Sequence, residues 1–229
     1  MVDPISIPEA AKVLGLSSAR VRAMAVNGQL SASKVGDRWL VERAAVERRR
    51  HQEASAGRPL APHNAWALLL LASGEEVKAI DPSVRSRLRR ALAVEGLEKL
   101  APRLARRAEV RSFRAHPGEI SYLLEDPDLV RSGVSAAGAQ GLDLVSGQEV
   151  DGYLQMGKLK KFAARHALSP VGLEGNVRLR LVPDKAWRFL QSESIAPIAA
   201  VSLDLAEDPD PRSSQAGRAV LHDLDHRRD

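Results

Sequence analysis

Leu14, Leu16, Val21 and Met24 have the spacing of a small core between two short helices. Pro8 to Leu14 reads as the first helix, turned by Gly15 and followed by Ser17 as the N-cap of the second. Ser18 to Asn27 reads as that second helix, with Gly28 as its stop. From Leu30 to Val41 the pattern changes to two short extended runs around Gly36-Asp37, as in a hairpin. Glu42 to Ala54 returns to a charged helix with a thin apolar side of Ala44, Ala45 and Val46.

Ser55 to Pro62 is rich in Ser, Ala, Gly and Pro and reads as a linker. Beyond it, Asn64 to Ala72 is apolar all round, which at that length predicts a buried helix. Asp81-Pro82-Ser83 has the form of a fresh N-cap with proline in the first helical position. Leu88, Leu92, Leu97, Leu100 and Leu104 form a helical stripe that breaks near Gly96 and Pro102. Glu109 to His116 alternates like a strand, and Pro117 to Glu125 suits a short helix ended by Asp126-Pro127. The Gly-, Ala- and Ser-rich stretch 133–152 predicts a strand over Leu142 to Val145 within a hairpin. Lys158 to Leu168 reads as an amphipathic helix and Val177 to Val182 as an alternating strand. Ile195 to Leu205 and Ser213 to Leu224 read as closing helices. The expected fold is α+β, an N-terminal winged helix-turn-helix domain linked to a larger mixed α+β domain. The divisions expected are 1–54, a linker over 55–63, and 64–229.

Composition narrows the class. With no cysteine, disulfide scaffolds and cysteine-ligated metal sites are excluded. The start of the chain lacks a charged and then apolar leader, and the longest apolar run has eight residues against about 20 for a membrane span. A soluble cytoplasmic protein that does not meet a membrane is therefore expected. The net charge of +5 is uneven: +4 over 1–58, +4 over 59–195 and −3 over 196–229. A basic front suits a polyanion. Residues 83–111 carry nine Lys or Arg against three Glu, which fits a solvated helix face or a second nucleic-acid or partner surface.

The second short helix is the element that fits the major groove of a duplex. Ser17 leaves free amides at its N-terminus that suit a phosphate. Ser18 and Arg20 are placed for base edges and Arg22 for a phosphate. Lys34 and Arg38 flank the hairpin turn, where the backbone or adjacent minor groove would lie, and Trp39 is expected to pack the hairpin onto the helices. The plain alternative is a surface helix with two ordinary arginines. Residues 5–50 resemble the excisionase and MerR-like winged helix-turn-helix family, through Ile7-Pro8-Glu9-Ala10-Ala11-Lys12-Val13-Leu14-Gly15-Leu16-Ser17, Ala19-Arg20-Val21-Arg22 and Lys34-Val35-Gly36-Asp37-Arg38-Trp39-Leu40-Val41. The resemblance implies binding of double-stranded DNA through second helix and wing, as a dimer or with a partner. The family usually carries a bulkier residue late in the second helix, where this chain has Ala23 and Ala25.

Gly175 to Arg180 and Ala196 to Gly217 are similar to the C-terminal part of AbiEi-like antitoxins. That similarity implies an operon repressor encoded beside a toxin. The reading is then a transcriptional regulator whose second domain holds a cognate toxin or makes a homodimer. The alternatives are an excisionase-type DNA-bending factor and a ligand-sensing regulator. No P-loop, dinucleotide fingerprint, zinc-protease helix or nucleophile elbow occurs, so neither enzyme activity nor a cofactor is expected. Two groups have the residue types of metal ligands: His222 with His226, which equally suits a solvated terminal helix, and Asp204, Glu207, Asp208 and Asp210, which equally suit helix-end, turn and N-cap chemistry.

Overall fold

Ser6 starts the first helix by a reciprocal exchange with Glu9. The Ser6 hydroxyl accepts the Glu9 N–H at 3.4 Å, and the Glu9 carboxylate accepts the Ser6 N–H at 2.8 Å. The sequence signal for this cap, Ser-x-x-Glu, is present one residue before Ile7. The computed structural model describes residues 4–26, 30–36, 38–43, 45–47, 49, 58–144, 147–171 and 175–227. It divides into two units, 1–57 with 171–174, and 58–170 with 175–229.

In the first unit, β1 (Pro4–Ser6) leads into α1 (Ile7–Leu14), which closes at Gly15, and α2 (Ser18–Val26) follows. The hairpin of β2 (Ala32–Val35) and β3 (Arg38–Glu42) is antiparallel, and β1 joins its far edge to give the order β1-β3-β2. Sequence reasoning missed β1, whose three residues are too few to show a period. Val21 and Met24 are buried as expected, but Leu14 and Leu16 sit at the margin. The centre is Ile5, Ala10, Ala25 and Val41, small and branched side chains that let helices and sheet approach closely. Trp39 packs against this core, as expected. After β3, Arg43, Ala45–Glu47 and Arg49 are helical, with Ala45 and Val46 in the core. The expected glycine stop at Gly28 and the linker residues 55–57 lie outside the described residues.

The second unit opens with α3 (Pro62–Ala72), buried throughout from Ala65 to Ala72, and α4 (Pro82–Leu100). α3 thus begins two residues before Asn64. The Asp81 carboxylate caps α4 by accepting the Ser83 N–H at 2.8 Å, and all five leucines of the predicted stripe are buried. The remaining strands are β4 (Glu109–Arg114), β5 (Leu129–Arg131), β6 (Val150–Gln155), β7 (Ser169–Pro170) and β8 (Val177–Val182). Their sheet order is β5-β6-β8-β4-β7, with β6 and β8 parallel and the other pairs antiparallel. The mixed α+β class is that expected from the sequence.

Two apolar layers cover this sheet. On one face, Val177, Leu179 and Leu181 pack with Phe113, Leu154 and Phe162 beneath α5 (Ile120–Glu125) and α7 (Leu159–Arg165). On the other, Val130, Tyr153 and Val182 meet α3, α4, α6 (Gly133–Ala137), α8 (Asp184–Trp187), α9 (Ile198–Ala206) and α10 (Pro211–His226). The strand predicted over Leu142 to Val145 does not form, since residues 142–144 have no regular structure and Val145 lies outside the described residues. Leu142 and Leu144 still pack on the large core, so their apolar spacing reports burial and not extension. The strand of this region is β6.

Candidate nucleic-acid interface

Helix α2 is held by the residue before it. The Ser17 hydroxyl accepts the Arg20 N–H at 3.3 Å and the Ser17 carbonyl the Val21 N–H at 3.1 Å, so Ser17 is the expected N-cap. Val21, Met24 and Ala25 anchor one side of the helix in the core. Ser18, Ala19, Arg20, Arg22 and Ala23 are exposed on the other. At 3.6 residues per turn, Ala19 is the middle of that arc, flanked by Arg22 and Ala23, while Ser18 and Arg20 mark its two edges. The face offered outward is therefore low-built at its centre, with a guanidinium close to it and another at the rim.

Register decides where the hairpin cations point. Val35 pairs with Arg38, Lys34 with Trp39 and Ser33 with Leu40. Cross-strand partners share a face and neighbours in sequence alternate. Lys34 thus stands on the face that Trp39 packs inward, and Arg38 on the opposite face with Val35. The two cations expected to flank the turn do so from opposite sides. Gly36, at φ 60°, makes the left-handed step that a two-residue hairpin loop requires. Ser33, Lys34, Val35 and Arg38 are all exposed.

With this geometry in place, a comparison with protein families is decisive for the first unit: the model of the helix-turn-helix domain matches residues 5–53. The chain carries a DNA-binding helix-turn-helix domain. No characterised protein and no solved structure matches the chain.

The second unit holds a cluster that sequence reasoning read differently. Asp204 on α9 is fully buried and accepts from Arg107 at 2.8 Å, Tyr153 at 2.9 Å and Ser132 at 2.5 Å. Arg180 lies 3.1 Å from the same carboxylate and grips Asp151 through two hydrogen bonds of 2.9 and 3.0 Å. Arg178 bridges Asp151 and Asp208, and Arg107 also reaches Glu207. Burial disfavours the charged form of Asp151, but Arg180 and Arg178 outweigh it and hold the carboxyl below the usual range. For Asp204 burial wins over Arg180 and Arg107, and its pKa lies above the usual value. Burial likewise pushes the Tyr153 hydroxyl up, so it stays a neutral donor.

Of this acidic group, Asp210 caps α10 by accepting the Ser213 N–H at 2.9 Å, and Asp208 makes the expected turn by accepting the Asp210 N–H at 2.9 Å. Asp204, Glu207 and the other oxygen of Asp208 bind arginines that arrive from β8 and from the turn after α4. Among the described residues no group of His, Asp and Glu is arranged to hold a metal ion. The His222 and His226 rings lie 4.0 Å apart between centroids, tilted by 44°, and the His226 Nδ1–H donates to the His222 carbonyl. Among the described residues no helix is long and apolar enough to cross a membrane. On α4, Arg87, Arg89 and Arg90 are exposed and Arg85 donates to the Val77 carbonyl, while Arg103, in the turn after α4, pairs with Glu95.

A second polar cluster joins α5 to α7. The buried His166 ring lies between Glu119, 2.7 Å from Nδ1, and Asp126, 2.8 Å from Nε2. Arg165 donates to Asp126 and Asp128, and Lys158 to Asp128. Desolvation opposes ionisation of Asp126, yet the Asp128 N–H, His166 and Arg165 together hold its carboxyl below the ordinary range.

Proposed function

We propose that the chain is a sequence-specific transcriptional regulator of the antitoxin-like, autorepressing kind. Its first unit binds the operator and its second holds a partner protein, the cognate toxin. The observation that carries the reading is the helix-turn-helix domain at residues 5–53, with α2 capped by Ser17 and presenting Arg22 near the middle of its open face. Arg22 is assigned to phosphate, Ser18 and Arg20 to base edges at the two rims, and Lys34 and Arg38 to the strands beside the hairpin. A homodimer would place two α2 helices in successive major grooves, about 34 Å apart. The antitoxin part of the reading rests on the resemblance to AbiEi-like antitoxins read from the sequence of Gly175–Arg180 and Ala196–Gly217. A binding role without catalysis fits a second unit whose buried arginines and carboxylates engage one another.

The test is co-expression with the neighbouring gene, followed by size-exclusion chromatography with and without the promoter fragment. A complex with the neighbour that also shifts the promoter supports the whole reading. A promoter shift without that complex removes the toxin and leaves a dimeric regulator. No shift at low salt overturns DNA binding as the function.

A further inference from the structure

Helix α4 carries four arginines and no acidic residue from Pro82 to Val94. Arg85 is tied to the Val77 carbonyl. Arg87, Arg89 and Arg90 are exposed, and among the described residues none of the three is in an ion pair. The nearby Asp81 carboxylate feels the charge of Arg87 but accepts from the Ser83 N–H. At 3.6 residues per turn, Arg90 stands opposite the buried Leu88 and Leu92, with Ser83 and Ser86 beside it. Arg87 lies on one flank of that face and Arg89 on the other. Like charges three positions apart on a helix, as Arg87 and Arg90 are, destabilise it. The fold itself therefore gives no reason for these cations.

We propose that the outward face of α4 is a second DNA contact, which holds the phosphate backbone of duplex flanking the operator without regard to its sequence. The inference rests on the DNA-binding reading above. A guanidinium donates two parallel N–H bonds to a phosphate, and the Ser83 and Ser86 hydroxyls are further donors on the same face. These small side chains, with the exposed Ala93, let the helix lie close to a nucleic-acid backbone. No aromatic ring occurs from Pro82 to Val94 on which an unpaired base could stack, which favours duplex over single strand. Val94, 75% exposed, is the large apolar side chain of this face, too little for the apolar centre of a protein interface. Both units belong to one chain, so a duplex already held by the first meets the second in an intramolecular step, and three weak contacts suffice. Contacts to phosphates alone add affinity and salt dependence but no sequence information.

The experiment uses the full chain and the site it selects from a randomised pool, placed in a short duplex and in one extended by about two helical turns on each side. Both are titrated by fluorescence anisotropy at several salt concentrations. The extension should raise affinity about tenfold and steepen log K against log salt by about two to three, and shuffling the added sequence should change neither. The triple variant Arg87→Gln, Arg89→Gln, Arg90→Gln should bind the short duplex as wild type does, lose the gain from extension and keep its melting temperature. A control with Lys160→Gln, Lys161→Gln and Lys185→Gln removes the same charge from exposed positions on α7 and α8 and should keep the gain. The proposal falls, while DNA binding stands, if extension brings no gain in wild type or if the gain survives the arginine variant. It falls equally if that variant loses as much on the short duplex, or if the control loses as much as the arginine variant. An arginine variant that keeps the gain and instead releases the co-expressed neighbour would make this face a protein interface. Failure to bind any duplex at low salt would remove both readings.

Discussion

Asp225, in the last turns of α10, caps a helix that begins at Leu97, 128 residues earlier. Its Oδ1 accepts the Leu97 N–H at 2.6 Å and its Oδ2 the Glu98 N–H at 3.2 Å. Those amides need a partner because Gly96, at φ 76°, breaks α4 and frees them. A Cβ at residue 96 would lie 2.7 Å from Asp225 Oδ2, so the break and the cap are fitted to each other. Asp225→Ala should cost about 1 kcal/mol, as for the loss of an N-cap. Gly96→Ala should cost more, through both its backbone angle and the overlap. In the Asp225→Ala background the penalty of Gly96→Ala should shrink to the backbone part alone. A double-mutant cycle by urea denaturation measures that difference, and strictly additive values would dissociate the two residues.

The buried pair Asp151–Arg180 predicts how the second unit responds to acid. Asp151 has its folded pKa below the unfolded value of about 3.9, so the stability it contributes is present above that pH. It is lost as pH falls through the folded value, and Asp126 adds in the same direction. Asp204 has the opposite sign, since its raised pKa makes ionisation a cost above the unfolded value. The melting temperature should therefore drop on acidification below about pH 4. Asp151→Asn takes from buried Arg180 the carboxylate that holds it by two hydrogen bonds, leaving it beside Asp204 and Glu207, and should cost about 3–5 kcal/mol at neutral pH. That corresponds to a midpoint lower by roughly 10 °C. The same variant should flatten the acid limb, and calorimetry across pH would detect an unflattened one.

Gly217 lets α9 and α10 cross at backbone contact. A Cβ there would overlap the Ala206 nitrogen and come within 2.5 Å of the Ser202 carbonyl oxygen. Because both are backbone atoms, the helices would have to separate. Gly217→Ala should destabilise the second unit by about 1–3 kcal/mol despite the better helix propensity of alanine. A chemical denaturation midpoint at or above wild type would contradict this close crossing.

The two arginines of α2 should separate in DNA binding. Arg22→Ala should weaken binding to every duplex and reduce the salt slope by about one. Arg20→Ala should mainly relax sequence preference, by about 1–3 kcal/mol at one position. Ser17→Ala should lower stability of the first unit by about 1 kcal/mol before any effect on DNA. Indistinguishable binding profiles for Arg20→Ala and Arg22→Ala would refute the division of roles.

Local rules carried the sequence reading well where the signal is local. Ser17, Asp81 and Asp210 are caps because a short polar side chain before a helix has one dominant use. Leu88, Leu92 and Leu97 to Leu104 keep a period that burial enforces. Val177 to Val182 illustrates the limit. Its alternation correctly gives a strand, yet implies a polar face in water, whereas Arg180 is buried. Its partners Asp151 and Asp204 are 29 and 24 positions away in sequence, and no periodicity links them. For the same reason β6 is not among the predicted strands, since a carboxylate inside a central strand makes sense only once the guanidinium opposite is known. For the interface, the identities of Ser17, Arg20, Arg22, Lys34 and Arg38 were legible. Their faces were not, because those follow from the pairing of Lys34 with Trp39 and Val35 with Arg38.

The ion network of the second unit also sets an order of events during synthesis. Arg107, Arg178 and Arg180 leave the ribosome before Asp204, Glu207 and Asp208, which neutralise them from α9 and the turn beyond it. Until that segment emerges, the nascent sheet carries guanidiniums with one carboxylate, Asp151, to share. Burying them in that state is prohibitive. The unit must then stay open to water until nearly its whole length is made, and its last helices act as the closing bolt of a door hung much earlier. A chain cut short before residue 204 would be left with that door ajar, which makes it a substrate for proteases and not a smaller version of the same domain.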